Sequence, residues 1–267
     1  MSGRLLRQTL RWQRVRLLVI LLAGIGWGVL IPIIYGAFSE VFRDLVNSGA
    51  FPPELMSFGS GSLFSLPGAI TLGMQHPLAI SMVAIFAVGA SATAVAGERA
   101  SGTLEVLLAR PISRLTLYAS ILVALLLAVL LVLVAILSGM IGGSVLQGIT
   151  DEVDLGQMPL VLLNGFGMWA AFTTFGLAAS VSFDRPGPAI GLSLGYLLAN
   201  YFLEILGSLW TDAAWTQDYS LFHHFNPGQI LTGEMQAIDL VIVFVAALVP
   251  MIFAIVIFPR RDLAAPA

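Results

Sequence analysis

Six apolar runs dominate the chain, and each is long enough to cross a bilayer core, which takes about 20 helical residues. They cover roughly residues 17–37, 77–97, 115–141, 159–182, 188–210 and 239–258. No stretch between them reads as a strand of useful length. Helices also satisfy their backbone hydrogen bonds internally, as the hydrocarbon region demands. The pattern predicts an all-α polytopic membrane protein with six transmembrane helices, in which residues 1–267 form one transmembrane domain.

The composition agrees with a bilayer as the surrounding solvent. Hydrophobic residues make up 58% of the chain and charged residues only 10%, whereas soluble domains carry about 25% charged residues. The chain has no cysteine, which excludes disulfides and thiolate metal sites. It also has no lysine, so all 12 basic residues are arginine.

The arginines indicate the orientation, because cytoplasmic loops carry an excess of positive charge. With both ends of the chain in the cytoplasm, all arginines but Arg43 fall on the cytoplasmic side, and the outer loops hold mainly acidic residues. The arginines on the cytoplasmic side are Arg4, Arg7, Arg11, Arg14, Arg16, Arg99, Arg110, Arg114, Arg185, Arg260 and Arg261. We therefore expect a multi-pass protein of the prokaryotic cytoplasmic (inner) membrane with both termini cytoplasmic.

The residues before the first span have an amphipathic pattern. Arginines fall on one side of a helical projection, and apolar side chains such as Leu6 and Trp12 fall towards the other. The pattern predicts an N-terminal interfacial helix lying at the inner surface of the membrane. A plain positive anchor in front of the span is the alternative.

Two outer segments, residues 38–76 and 211–238, are too apolar to be free linkers. We expect short interfacial helices in them, which either lie on the outer leaflet or cap the outer mouth of the bundle.

Glycines with the spacing of close helix contacts occur in two spans. Gly24 and Gly28 form a GxxxG pair in the first span, and Gly191 and Gly195 form another in the fifth. Such pairs let helix backbones approach each other. The pairs are compatible with a dimer seam built from spans one and five, or with packing inside one subunit.

Catalytic motifs are scarce. A P-loop requires the lysine of GxxxxGK[ST], which this chain lacks, and no HExxH motif occurs. Gly59–Ser62 only superficially resembles a nucleophile elbow and is interpreted as a turn. Adjacent His223 and His224 would not face one site, so no metal site is expected there. The chain is predicted to be a non-catalytic protein without a cofactor of its own.

Buried polar groups are candidate functional residues in a membrane protein. Glu204 is the one acidic residue clearly inside a predicted span, and Asn164 and Asn200 are the other polar side chains of interest. Glu204 either lines a translocation path or gate, together with the asparagines, or extends its carboxylate to the nearby outer interface.

The loop between the second and third spans, residues 98–114, has the most distinctive pattern. Ser101 or Thr103 can cap a short helix, and Pro111 ends it. Leucines at positions i, i+3 and i+4 form an apolar stripe on that helix. Such a stripe on a short cytoplasmic loop either lies on the membrane or docks into the groove of a partner.

The loop resembles the coupling helix in permease subunits of the type-2 ATP-binding-cassette (ABC) exporters. The six-span layout and the segment Leu221–Pro227 are also similar to that family. The matching loop residues are Glu98, Arg99, Gly102, Thr103, Leu104, Glu105, Leu107, Leu108, Pro111, Ser113 and Arg114.

The resemblance implies that this loop docks on a separate ABC ATPase subunit, which binds ATP and Mg. It also implies a working complex of two ATPase chains and two permease chains, the second permease being another copy or a related chain. The function so expected is an ATP-driven exporter whose pathway is formed by a permease dimer. No nucleic acid is expected as a partner.

Two other classes of function compete with an exporter. One is a membrane scaffold or assembly permease that recruits an ATPase without a solute path of its own, for example in copper-enzyme maturation. The other is a secondary transporter, which the scarcity of buried charges and the lack of an obvious repeat disfavour.

Overall fold

The chain folds into a bundle of long apolar helices. The computed structural model describes residues 3–48, 57–58, 61–62, 65–109 and 112–261. The helices are α1 Gly3–Asn47, α2 Leu66–Gln75, α3 Pro77–Ala84, α4 Ser91–Thr93, α5 Ala96–Ala100, α6 Thr103–Leu108, α7 Arg114–Gln147, α8 Met158–Ser182, α9 Pro186–Leu209, α10 Pro227–Thr232 and α11 Ala237–Ile257. A π-helical turn, Ile85–Ala90, joins α3 to α4, and 3₁₀ turns cover Thr150–Glu152, Leu155–Gln157 and Thr211–Tyr219. The two-residue strands β1 Ser57–Phe58 and β2 Gly61–Ser62 pair antiparallel.

Five helical segments in the described part of the chain are long and apolar enough to cross a membrane. They are Gln13–Phe38, Arg114–Gln147, Leu155–Ser182, Pro186–Leu209 and Ala237–Ile257. The region of the predicted second span is not one unbroken helical segment like these five. There the helices Leu66–Gln75 and Pro77–Thr93 meet at a bend of 48°. The polytopic helical fold is thus confirmed, and the number of spans is six if this bent pair counts as one.

Helix α1 differs from the prediction at both ends. It runs unbroken from Gly3 to Asn47, so the N-terminal residues are one helix with the first span and not a separate interfacial helix. The reason is local: no glycine or proline lies between Gly3 and Gly24 to interrupt the backbone hydrogen bonds. Its 45 residues extend about 68 Å at 1.5 Å per residue. The outer segment expected from residue 38 therefore begins as helix.

Glycines bring α1 and α7 into close contact. A Cβ atom on Gly28 would lie 2.8 Å from the backbone nitrogen of Met140 and 2.9 Å from the Cα of Gly139. One on Gly24 would lie 3.2 Å from Cγ1 of Ile136. Both glycines are covered by a helix of the same chain. The interpretation as a dimer seam is therefore wrong for Gly24 and Gly28, and packing within one subunit is what the structure shows.

A break after α4 positions the loop that follows. The backbone N–H groups of Val95 and Ala96 donate to the hydroxyl oxygen of Ser180 on α8, at 2.9 and 3.0 Å. Such partners compensate donors that a helix break leaves free. These two hydrogen bonds thereby hold the start of helix α5 against α8.

The segments around α2 and α10 fold onto the end of the bundle. Nine of the ten residues of α2 are buried, and Phe222 and Phe225 are 1% and 0% exposed. The side-chain amide of Gln75 donates to the carbonyl of Phe225 at 2.7 Å. Both arrangements expected for these segments, on the outer leaflet or over the mouth of the bundle, stay predictions.

Candidate functional site

The two ends of the bundle carry different groups of polar residues. We call the end that holds residues 97–109, 112–113, 183–185 and 259–261 the basic end. The other, which holds residues 148–157 and 210–236, is the acidic end. The predicted docking loop lies at the basic end, and the predicted pathway residues lie towards the acidic end.

The loop at the basic end contains two short helices instead of the single one predicted. Gly102, with φ of 74°, turns the chain between α5 and α6 in the left-handed region that favours glycine. The hydroxyls of Ser101 and Thr103 donate to the carbonyl of Glu98 at 3.1 and 3.2 Å. Thr103 also donates to the Glu98 carboxylate. Glu98 and Thr103 therefore hold the turn together.

The first residue of the predicted apolar stripe on α6, Leu104, is buried within the chain. Leu104 is 1% exposed and belongs to the main hydrophobic core, whereas Val106 is 64% exposed and Glu105 is also exposed. Leu104 is thus a core residue, which corrects its assignment to the docking surface. A periodic stripe shows that one face is apolar but not what covers it. The side chains of Leu107 and Leu108, and Pro111, lie outside the described residues.

Two arginines from different parts of the basic end pair with Asp184. Nη1 of Arg99 lies 2.8 Å from its carboxylate, and the guanidinium of Arg261 also pairs with it. Arg114 donates to the carbonyls of Pro259 and Arg261 at 3.1 and 2.7 Å. Arg99 and Arg114, both predicted to contact an ATPase, therefore bind within the chain. Their contacts tie the docking loop to α8, α9 and the end of α11.

Glu204 on α9 lies at the floor of a cavity at the acidic end. The residue is 5% exposed, so other parts of the chain cover its carboxylate, and its role as a path or gate residue stays a prediction. Oε1 accepts a hydrogen bond from the Gln217 amide at 2.9 Å. Among the described residues, nothing donates a hydrogen bond to Oε2, and Nδ1 of His223 lies 3.9 Å from it.

The two predicted asparagines hold the segment that covers Glu204. Oδ1 of Asn200 accepts from the backbone N–H of Leu221 at 2.9 Å. Its carbonyl accepts from the Ser220 hydroxyl at 2.9 Å. The Asn164 amide donates to the carbonyl of His224 at 3.1 Å. The three residues are thus brought to one region, but of these three only Glu204 lines the cavity.

The cavity has a volume of about 360 Å³. Buried residues form its floor, and exposed residues such as Gln236 form its rim. It is lined by Gln75, Glu204, Gln217, Asp218, Phe222, His223, His224, Asn226, Gln229, Gln236, Ile238 and Asp239. Most of these positions could not be identified as lining residues from the sequence. Three separate segments of the chain contribute them, and no local pattern shows that these segments meet.

The two histidines have different partners. Nδ1 of His224 lies 2.8 Å from the carboxylate of Asp239, whereas His223 faces Glu204. Their ring centroids are 5.5 Å apart. In the described part of the chain, no group of three His, Cys, Asp or Glu side chains is placed to hold a metal ion.

The second glycine pair lies on an open face of α9. Within the described structure, no atom comes within 4 Å of a Cβ built on Gly191 or Gly195. Leu198 and Phe202 continue the same face at helical spacing and are 55% and 62% exposed. A dimer seam at this pair stays a prediction.

Comparison with known families gives one match over most of the chain. Residues 6–263 match the model of a family described as ABC-2 family transporter protein. No curated protein matches the chain.

Proposed function

Because the chain belongs to the ABC-2 transporter family, we propose that it is the permease subunit of an ATP-driven exporter. In this proposal two permease chains form the translocation pathway in a prokaryotic inner membrane, and a separate ATPase subunit drives it. ATP binding and hydrolysis take place on the ATPase, and the permease responds through contacts at its basic end. The role of this chain is then to couple the nucleotide state of the ATPase to the conformation of the pathway, and the strength of that coupling is a free energy.

The family match over residues 6–263 carries the proposal. The basic end supports the coupling part of it, because α6 presents Glu105 and Val106 outwards while Leu104 anchors the helix in the core. The contacts of Asp184 with Arg99 and Arg261 join this loop to other helices. A displacement of α6 would therefore also move the helices of the bundle, because these contacts hold the loop against them.

Transport is favoured over a scaffold by the polar cavity at Glu204. A protein that only recruits an ATPase has no use for a buried carboxylate facing a cavity of about 360 Å³, because burying such a group costs free energy.

The proposal is tested by Val106→Asp. A charge at the centre of a docked apolar contact is expected to weaken ATPase binding by 2 kcal/mol or more, which is roughly 30-fold. The measurement is co-purification of a P-loop ATPase with the tagged permease in mild detergent. Since Val106 is 64% exposed, the variant should still insert and elute as a single species.

Val145→Asp is the matched control, since Val145 is 61% exposed at the opposite end of the bundle. This variant should retain the ATPase. Full ATPase recovery with Val106→Asp, or equal loss with both variants, would show that α6 is not the docking element.

A further inference from the structure

The lining of the cavity at Glu204 is acidic. Three carboxylates line it, those of Glu204, Asp218 and Asp239, and none of the described lining residues is an arginine. Asp239 has a near partner in His224, at 2.8 Å. Asp218 is exposed to solvent, whereas Glu204 is buried.

One oxygen of the Glu204 carboxylate is buried and has no hydrogen-bond donor among the described residues. Its side chain is 6% exposed, and nothing in the described structure donates to Oε2. Leaving a buried charged oxygen unpaired is costly, so such groups are normally satisfied by a cation or a donor. Nδ1 of His223 is 3.9 Å from Oε2, beyond hydrogen-bond distance, and the His223 side chain is 42% exposed. A ligand that displaces this histidine would reach Oε2.

The rest of the lining suits an organic cation better than a metal ion. Amide side chains from Gln75 and Gln229 offer oxygens that accept N–H donors. Phe222 and Ile238 supply the apolar part of the lining, Phe222 from the buried side and Ile238 at the rim. Among the described residues, no group of three or more His, Cys, Asp or Glu side chains is placed to hold a metal ion. A volume of about 360 Å³ lies within the ~300–1,000 Å³ range of small-molecule sites.

We propose that this cavity binds a small organic molecule carrying a protonated amine, whose charge rests on the carboxylate of Glu204 and whose apolar part contacts Phe222 and Ile238. That the bound amine is also the transported molecule rests on the proposed function. Binding itself does not, because the cavity lies within one chain.

The test is binding of 2-phenylethylamine to the purified full-length permease in lipid nanodiscs, without ATPase or nucleotide, measured by calorimetry. At neutral pH this probe is a cation, and 2-phenylethanol is its neutral counterpart. We expect the amine to bind and the alcohol to bind at least tenfold more weakly. Glu204→Gln should weaken amine binding by at least tenfold. Asp212→Asn, on the same outer segment but not lining the cavity, should leave it unchanged.

A rim variant covers the case in which Glu204→Gln does not fold. Asp218 lines the cavity and is exposed, so Asp218→Asn should fold and weaken amine binding about twofold to fivefold, the size of a solvent-exposed charge contribution. Equal binding of amine and alcohol would overturn the proposal. So would full amine affinity in folded Glu204→Gln, or heat from potassium or magnesium chloride but none from the amine.

These outcomes are distinct from failure of the proposed function. If the amine binds at Glu204 but Val106→Asp retains the ATPase, the cavity is an amine site and the docking model fails. If docking fails in Val106→Asp and the amine does not bind, the exporter proposal stands and its substrate is of another class.

Discussion

Replacing Gly28 with alanine tests whether the contact between α1 and α7 holds the bundle together. The added methyl group would lie 2.8 Å from the Met140 nitrogen and 2.9 Å from the Gly139 Cα, and closer still to the carbonyl oxygen of Ile136. All three are backbone atoms of α7, so no side-chain rotation relieves the clash. The two helices have to separate.

The expected loss of stability follows from two opposing terms. Glycine to alanine inside a helix gains about 1 kcal/mol in helix propensity. Overpacking costs about 1–3 kcal/mol, and more where backbone has to move. Separation of the helices also loosens the contacts of Ile136, which is 1% exposed. We expect a net destabilisation of about 1–3 kcal/mol, or a fall in Tm of several degrees at about 2–4 °C per kcal/mol for a chain of this size.

Gly26 provides the matched control on the same helix. In the described structure no atom lies within 4 Å of a Cβ built on it, so Gly26→Ala should leave stability unchanged or raise it by up to about 1 kcal/mol. The assay is the fraction of monodisperse protein remaining after a temperature ramp, measured by fluorescence size-exclusion chromatography. Equal Tm values for the two variants would refute the argued contact.

Two further predictions concern the basic end. Leu104→Ala should destabilise the fold by about 2–5 kcal/mol, the range for truncating a buried leucine. Val106→Ala should change stability by less than about 0.5 kcal/mol, as for an exposed position; similar thermal shifts for the two would contradict the assignment of Leu104 to the core. Asp184→Asn should lower Tm at low ionic strength by the equivalent of about 1 kcal/mol or less, because Asp184 is half exposed. That difference should vanish near 1 M salt, where the screening length is about 3 Å, and a salt-independent shift would show that the loss is one of packing.

The docking loop shows what a local sequence pattern can and cannot predict. Its residue types predicted a turn, a short helix and an apolar face, and the turn at Gly102 and the helix α6 are present. The same pattern could not show that Leu104 packs inwards, because burial depends on which other parts of the chain cover the residue. Nor could it show that Arg99 is paired with Asp184, a partner two spans further along the chain.

The cavity was only partly foreseeable. Glu204 stands out in the sequence, because an acidic residue inside an apolar run is rare. Its neighbours Gln217 and His223 belong to a segment that folds back over α9. Gln75 reaches the same place from α2, 150 positions before Phe225 in the sequence. No local sequence pattern indicates that these distant segments lie next to each other in the fold.

Length and hydrophobicity by themselves determined that this chain is a helical membrane protein, because spanning a bilayer is a local requirement on about 20 consecutive residues. The residue pattern of the loop pointed to the family that residues 6–263 match. Which faces are covered was decided only by tertiary structure. Gly28 and Gly191 share the same GxxxG spacing, yet Gly28 is packed against α7, whereas no atom of the described residues contacts a Cβ built on Gly191. The physical reason is that burial arises from contacts between distant segments, whereas periodicity describes only one segment at a time.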